Sequence, residues 1–194
     1  MVMPPITGVV LAGGLGRRMG RVDKGLQLLQ GKPMVQWAIE RLAPQVDLLL
    51  VNANQNEAIY GALGHRVIAD AIPGFAGPLA GLHAALSAAE TPLVATVPCD
   101  SPFLPLDLVA RLGAPLLAAD AEVAVARTFD QVHPVFCLCR RALLPHLTAY
   151  LQAGERKFET WFGTLRAIQV NFDEQAAGFE NINTLEELQR WSGP

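Results

Sequence analysis

The stretch from Ile6 to Gly25 constrains this chain more than any other. A short, mainly apolar run, Ile6–Leu11, breaks directly into Ala12-Gly13-Gly14-Leu15-Gly16-Arg17-Arg18-Met19-Gly20, with Asp23-Lys24-Gly25 just behind. An apolar run bounded by turn residues reads as a buried strand. Glycines after it let the backbone take positive φ and approach a ligand closely. Successive N–H groups there can form an anion-binding concavity. Arg17, Arg18, Arg21 and Lys24 crowd into the same segment, and Arg18 and Lys24 supply full charges for a triphosphate. The loop is not a Walker A motif, because no G-K-[ST] closes it, and its spacing does not give G-x-G-x-x-G. Taken alone, a flexible basic turn would look the same.

The remainder of the chain narrows the choice. Its 194 residues fit one domain, and 51% hydrophobic against 17% charged residues supply ample material for a core. No run approaches the ~18–20 apolar residues of a bilayer span. The N-terminus lacks a basic region and an A-x-A-like cleavage site, so a cytoplasmic address with no membrane partner is expected. A net charge of −3 argues against a nucleic-acid partner. One basic loop in an acidic protein points instead to a small anionic ligand. Cys99, Cys137 and Cys139 form neither an even disulfide set nor a C-x-x-C pair, and are expected as buried inert thiols. His65, His83, His133 and His146 show no metal-ligand spacing.

Strand and helix patterns alternate after the loop. Pro33–Leu42 and the alanine-rich Gly81–Ala89 read as helices; Val46–Val51, Arg66–Ile68 and Leu93–Val97 read as strands. These strands are apolar throughout, the mark of a parallel sheet covered on both faces, and the expected class is α/β. Asn52, Asp70 and Asp100 follow three of the strands, where ligands of open α/β sheets sit. Glu122–Thr128 and Val132–Leu138 read as strands about a turn at 129–131, with helices at Leu143–Leu151 and Lys157–Leu165 and a strand at Ala167–Phe172. Thr184–Trp191 reads as a helix whose Thr184 and Glu187 are spaced as a capping box.

With these elements in place, LAGGLGRRMG followed by DKG resembles the signature L-A-G-G-x-x-x-R-M-G-x-x-K of nucleotidyltransferases. The resemblance is closer to the MobA family of molybdenum cofactor guanylyltransferases. It continues through Gly77-Pro78-Leu79-Ala80-Gly81, Pro98-Cys99-Asp100-Ser101-Pro102-Phe103, His133-Pro134-Val135-Phe136, Gly154-Glu155-Arg156-Lys157 and Phe179-Glu180-Asn181-Ile182-Asn183-Thr184. The first motif is shared with many sugar-nucleotide and cytidylyl transferases; the later set, in this order, is more specific. The chain departs from the pattern at Arg21, where the family often has glycine, and at Leu185, where it often has proline.

The resemblance implies a single Rossmann-like domain with a mostly parallel central sheet and helices on both faces, similar to nucleotide-diphospho-sugar transferases. Residues 1–105 would form the nucleotide-binding half and 106–194 the molybdopterin-binding half. It implies transfer of GMP from GTP to the phosphate of molybdopterin, or of its molybdenum-loaded form, with release of pyrophosphate. Leu11, Ala12, Gly13, Gly14, Lys24, Asn52, Asp70 and Asp100 would contact GTP; Arg18, Lys24 and Asp100 would be catalytic. Asp100 would carry Mg²⁺, and Gly81, Arg156, Lys157, Asn181 and Asn183 would face the pterin. A monomer is expected, in contact with cofactor-insertion proteins and molybdoenzyme chaperones.

The chemistry suits those residue types. An acceptor oxygen attacking the α-phosphorus brings two anions together and builds charge on pyrophosphate, so alignment and neutralisation are what the protein must supply. Mg²⁺ commonly takes one or two carboxylates plus substrate phosphates, which suits Asp100. Plainer roles stay open: Asp70, Asp100 and Asn52 could shape turns, Asn181 and Asn183 could cap, and His133 could be a packed core histidine. Two other functions stay open as well. One is a cytidylyltransferase acting on the same cofactor or a sugar phosphate, against which the Gly13-Gly14 pair speaks by family resemblance. The other is a nucleotide sensor without turnover, against which joint retention of Lys24 and Asp100 speaks.

Overall fold

The computed structural model describes residues 2–12, 23–71 and 77–192. The first half runs β1 (Ile6–Leu11), β2 (Leu28–Leu29), β3 (Lys32–Pro33), α1 (Met34–Leu42), β4 (Leu48–Asn52), α2 (Glu57–Gly61), β5 (Arg66–Ile68), α3 (Pro78–Ala88) and β6 (Leu93–Pro98). The second runs α4 (Leu108–Ala118), β7 (Val123–Thr128), β8 (Gln131–Arg140), α5 (Leu144–Gln152), α6 (Phe158–Phe162), β9 (Ala167–Asn171) and α7 (Leu185–Ser192).

Among the described residues a seven-stranded sheet has the order β5-β4-β1-β6-β8-β7-β9. Pairs β5–β4, β4–β1, β1–β6 and β7–β9 are parallel, and β8 is antiparallel to both its neighbours. The expected mostly parallel sheet is therefore present, with β8 running against the rest. β1 is buried on both faces: Ile6 and Val10 join a core with α1 and α4, while Val9 joins another with α3, α5 and α6. That two-sided burial is why the run carries no alternating polar positions. Cys99, Cys137 and Cys139 are buried free thiols, as expected.

Several elements differ from the sequence reading. Helix α3 starts at Pro78 rather than Gly81, because proline's fixed φ suits the first helical position and Gly77 before it takes φ 127°. Strand β4 starts at Leu48 because Asp47 is used otherwise: its carboxylate accepts from Ile6 N at 2.7 Å. Helix α4 has no counterpart in the sequence pattern. Its Leu108, Val109, Leu112 and Leu116 are buried at helical spacing, but Gly113 and Pro115 interrupt the pattern. A Cβ at residue 113 would lie 2.2 Å from Met3 Cε, so the glycine there makes room for the N-terminal segment. The short hairpin β2–β3 and helix α2 are likewise elements beyond the sequence pattern. Strand β8 is longer than expected and accommodates Pro134, which cannot donate to a ladder, through a register shift opposite Val125/Ala126.

Candidate active site

The carboxyl ends of β1, β4, β5 and β6 lie along one edge of the sheet, stitched by backbone bonds. Ala12 N donates to Asn52 O at 2.7 Å, Ala53 N to Ile68 O at 2.9 Å, and Cys99 N to Leu11 O at 3.1 Å. The polar residues just past these ends are thereby fixed relative to one another.

Lys24, Asp100, Asn181 and Asn183 form one hydrogen-bonded group there. Lys24 opens a 3-10 turn, Lys24–Leu26, capped by Asp23. Its ammonium donates to Asn183 Oδ1 at 2.6 Å and lies 3.3 Å from Asp100 Oδ2. Lysine has no acceptor, so the oxygen of the Asn183 amide must face it; Asn183 Nδ2 correspondingly reaches Asn181 O at 3.3 Å. Ile182 N donates to Asp100 O at 2.8 Å, and the fully buried Ser101 donates through its hydroxyl to Asn181 Oδ1 at 2.6 Å. The segment is anchored behind by the expected capping box: Glu187 N donates to Thr184 Oγ1 at 3.1 Å, while Glu187 Oε2 accepts from Asn183 N and Thr184 N at 2.6 and 3.1 Å. Thus residues assigned to nucleotide and residues assigned to pterin are brought together. Ser101 is a member that sequence reasoning missed, although it sits inside a motif already singled out.

Asn52, Asp70 and Gly81 form a second group with Leu11. Asn52 is 1% exposed and donates through Nδ2 to Asp70 Oδ1 at 3.0 Å and Ile68 O at 3.4 Å. The exposed Asn54, which no motif marked, donates to Asp70 Oδ2 at 2.8 Å and accepts from Asp70 N. Asn52 therefore stands behind Asp70, with its Nδ2 engaged by Asp70 and by Ile68 O. Gly81 lies against the same group: a Cβ there would come within 2.9 Å of Asn52 Oδ1 and 3.2 Å of Leu11 Cδ2. Gly81, expected on the pterin side, is thus packed beside the nucleotide-side residues.

A third group was not anticipated. Asp23 Oδ1 accepts from Tyr60 Oη at 2.5 Å and Gly25 N at 3.2 Å, and Asp23 Oδ2 accepts from Asn56 Nδ2 at 3.0 Å. Burial, with the nearby Cys99 and Asp23, pushes the Tyr60 phenol far above its ordinary range. Burial likewise raises the Cys99 thiol, with Asp100 and Asp23 adding to the rise, which fits an inert sulfur.

Gly13, Gly14 and Arg18, with Arg17 and Arg21, lie outside the described residues. Arg156 and Lys157 are exposed between α5 and α6, Arg156 donating to Leu151 O at 2.9 Å and Glu155 O at 2.6 Å. His133 shares a 2.6 Å hydrogen bond with Thr128 and stacks on Phe179 at 4.9 Å, which fits its packed role. Among the described residues no group of three or more His, Cys, Asp and Glu side chains could cage a metal. Asp100, as one carboxylate at a strand end, fits an ion whose other ligands are substrate phosphates and water. No helix of the described residues is long and apolar enough to cross a membrane.

Comparison with known proteins gives this edge a family. The MobA-like NTP transferase domain matches residues 8–167. A molybdenum cofactor guanylyltransferase of Bordetella petrii is 52% identical over 189 residues, covering 95% of this chain and 96% of its own. One from Ralstonia nicotianae is 50% identical over 194 residues, covering 95% of each chain. The molybdopterin-guanine dinucleotide biosynthesis protein A of Archaeoglobus fulgidus superposes with a TM-score of 0.81 over 96% of each chain; at 24% identity this likeness speaks for the fold. Motifs, sheet and relatives agree, and the chain belongs to the MobA-like family of nucleotidyltransferases, with the molybdenum cofactor guanylyltransferases as its relatives.

Proposed function

We propose that this nucleotidyltransferase transfers GMP from GTP to the phosphate of molybdopterin, or of its molybdenum-loaded form, in the cytoplasm. The observation that carries the reading is the position of the Lys24 ammonium, between the Asp100 carboxylate and the Asn183 amide. A cation there lies where two phosphate-bearing substrates must meet.

In the reaction an oxygen of the acceptor phosphate bonds to the α-phosphorus of GTP, and the bond to the bridging oxygen of pyrophosphate breaks. Lys24, with Arg18 from the glycine loop, neutralises the phosphates, and Leu11, Ala12, Gly13 and Gly14 supply a close backbone approach. Asp70, held by Asn52 and Asn54, presents its carboxylate toward the base or ribose. Asp100 would hold Mg²⁺, which would supply positive charge to the phosphates and to the leaving group. Asn181 and Asn183 bind and align the acceptor, with Arg156 and Lys157 extending that side, while Gly81 packs at the junction with Asn52 and Leu11. Residues 1–105 thus act on nucleotide and 106–194 on acceptor.

Pyrophosphate release with GTP, CTP or ATP, each with and without molybdopterin, tests the reading. Release requiring GTP and molybdopterin together is expected. A clear CTP preference would replace it with the cytidylyl reading.

A further inference from the structure

Asp23 carries a carboxylate one residue before Lys24, next to the site where phosphates are to bind. A free anion there works against the triphosphate in two ways: it can pair with the ammonium, and it repels the incoming phosphates. Both of its oxygens are engaged elsewhere. Tyr60 and Asn56 reach across from α2 and the residue before it, and Gly25 N closes the set.

Two local features show that this engagement overrides ordinary preference. Asn56 has φ 54°, in the left-handed region, and precedes α2 without capping it through its side chain, although asparagine is a favoured N-cap. Its amide goes to Asp23 instead, from a left-handed backbone that asparagine adopts more readily than other non-glycine residues. Tyr60 is completely buried, and its hydroxyl lies 2.6 Å from where a Cβ on residue 25 would stand. The phenol thus occupies the space that glycine leaves in Asp23-Lys24-Gly25.

We propose that Tyr60 and Asn56 are positioning residues for nucleotide binding: they draw the Asp23 carboxylate toward α2, and Lys24 is left to the triphosphate. This rests on the reading of Lys24 as a triphosphate ligand. Neither residue touches substrate; both act through Asp23.

Calorimetric titration of the full chain with GTP and Mg²⁺, without acceptor, tests the idea. Tyr60→Phe removes one donor and is expected to weaken binding about tenfold. Adding Asp23→Asn removes the charge that Tyr60 restrains, and the double variant is expected to recover most of the affinity. Asn56→Ala alters an exposed side chain and should show the same loss and recovery, which keeps the test sound if Tyr60→Phe fails to fold. Wild-type affinity in both single variants overturns the proposal. So does a double variant as weak as Tyr60→Phe, since a purely mechanical role for the phenol gives no recovery. Lys24→Ala separates the two readings: undiminished GTP affinity in that variant removes the Lys24 assignment itself, and the clasp with it. A large loss in Lys24→Ala, with no recovery when Asp23→Asn is added to Tyr60→Phe, removes only the role given to Tyr60 and Asn56.

Discussion

Asn183 Oδ1 accepts a 2.6 Å hydrogen bond from Lys24 Nζ across 159 positions of sequence. The bond joins the turn after the glycine loop to the segment that leads into α7. Asn183 in turn is tied through its N–H to Glu187, so the ammonium rests against a side chain that a capping box holds in place. Placement of Lys24 and placement of Asn183 are consequently one structural problem.

Lys24→Ala is therefore expected to weaken GTP binding by at least about tenfold, since hydrogen bonds to charged groups contribute on the order of 1.5–3 kcal/mol. Asn183→Ala should raise KM for GTP as well as for molybdopterin, because the ammonium loses its rest. Steady-state kinetics varying each substrate would show this; an effect confined to molybdopterin would mean the bond to Lys24 does not matter for nucleotide.

Asp100→Ala is expected to abolish Mg²⁺-dependent turnover, by on the order of a hundredfold or more, while the fold persists. The fold argument is specific: Asp100 ties the C-terminal segment through its backbone carbonyl, which the substitution keeps. Circular dichroism and pyrophosphate release on the same sample check both halves. Retained turnover would take Asp100 out of the mechanism.

The sheet and the polar residues gathered at its edge could be read from the sequence because they depend on local patterns. β1, β4 and β6 are apolar runs that end beside Ala12, Asn52 and Asp100, and that edge is where a doubly covered sheet binds ligands. What stayed hidden depends on side chains meeting across the fold. Tyr60 looks like an ordinary core aromatic until its hydroxyl is seen on Asp23. Asn54 and Ser101 gain meaning only through Asp70 and Asn181. Helix α4 was obscured for a different reason: Gly113 and Pro115 are breakers by propensity, and tertiary packing of Leu108, Val109, Leu112 and Leu116 outweighs them.

Gly81→Ala pits two effects against each other. Alanine is favoured over glycine within a helix by about 1 kcal/mol, yet its Cβ would press on Asn52 Oδ1 at 2.9 Å. That oxygen cannot simply swing away, because the same amide holds Asp70 and Ile68 O. The expected result is a melting temperature near that of wild type with weaker GTP binding. Unchanged affinity would show that Asn52 yields without disturbing Asp70.

Ser101→Ala removes the hydroxyl that holds Asn181 Oδ1. With that oxygen held, the Asn181 NH₂ is left to donate to an acceptor substrate; released, the amide can rotate. A several-fold rise in KM for molybdopterin is expected, with GTP affinity little changed and Ser101→Thr closer to wild type than Ser101→Ala. Equal losses for both substrates would point to a collapse of the buried site rather than a turned amide.

Acid sensitivity follows from the buried His83 and the half-buried His133. Burial lowers His83 below its ordinary 6.5, opposed by the charge of Asp70, and burial lowers His133 likewise. Thr148 Oγ1 donates to Leu144 O at 2.8 Å, so in the 2.9 Å contact it accepts from His83 Nε2–H. Nδ1 is then the unprotonated nitrogen, and it is buried without a partner among the described residues. A proton added there would find no acceptor. Below pH 6.5 the unfolded chain binds protons that the folded chain refuses, so stability falls as pH drops from about 6.5 toward the depressed folded values. The Asp173 carboxylate, held below 3.8 by the Phe129 N–H, and that of Glu174, held below 4.5 by its own N–H and Arg111, lose stability only at lower pH. Thermal melts should therefore be flat above pH 7 and decline between pH 6.5 and 5, with a shallower decline in the double variant His83→Gln, His133→Gln. An identical decline in that variant would place the acid sensitivity elsewhere.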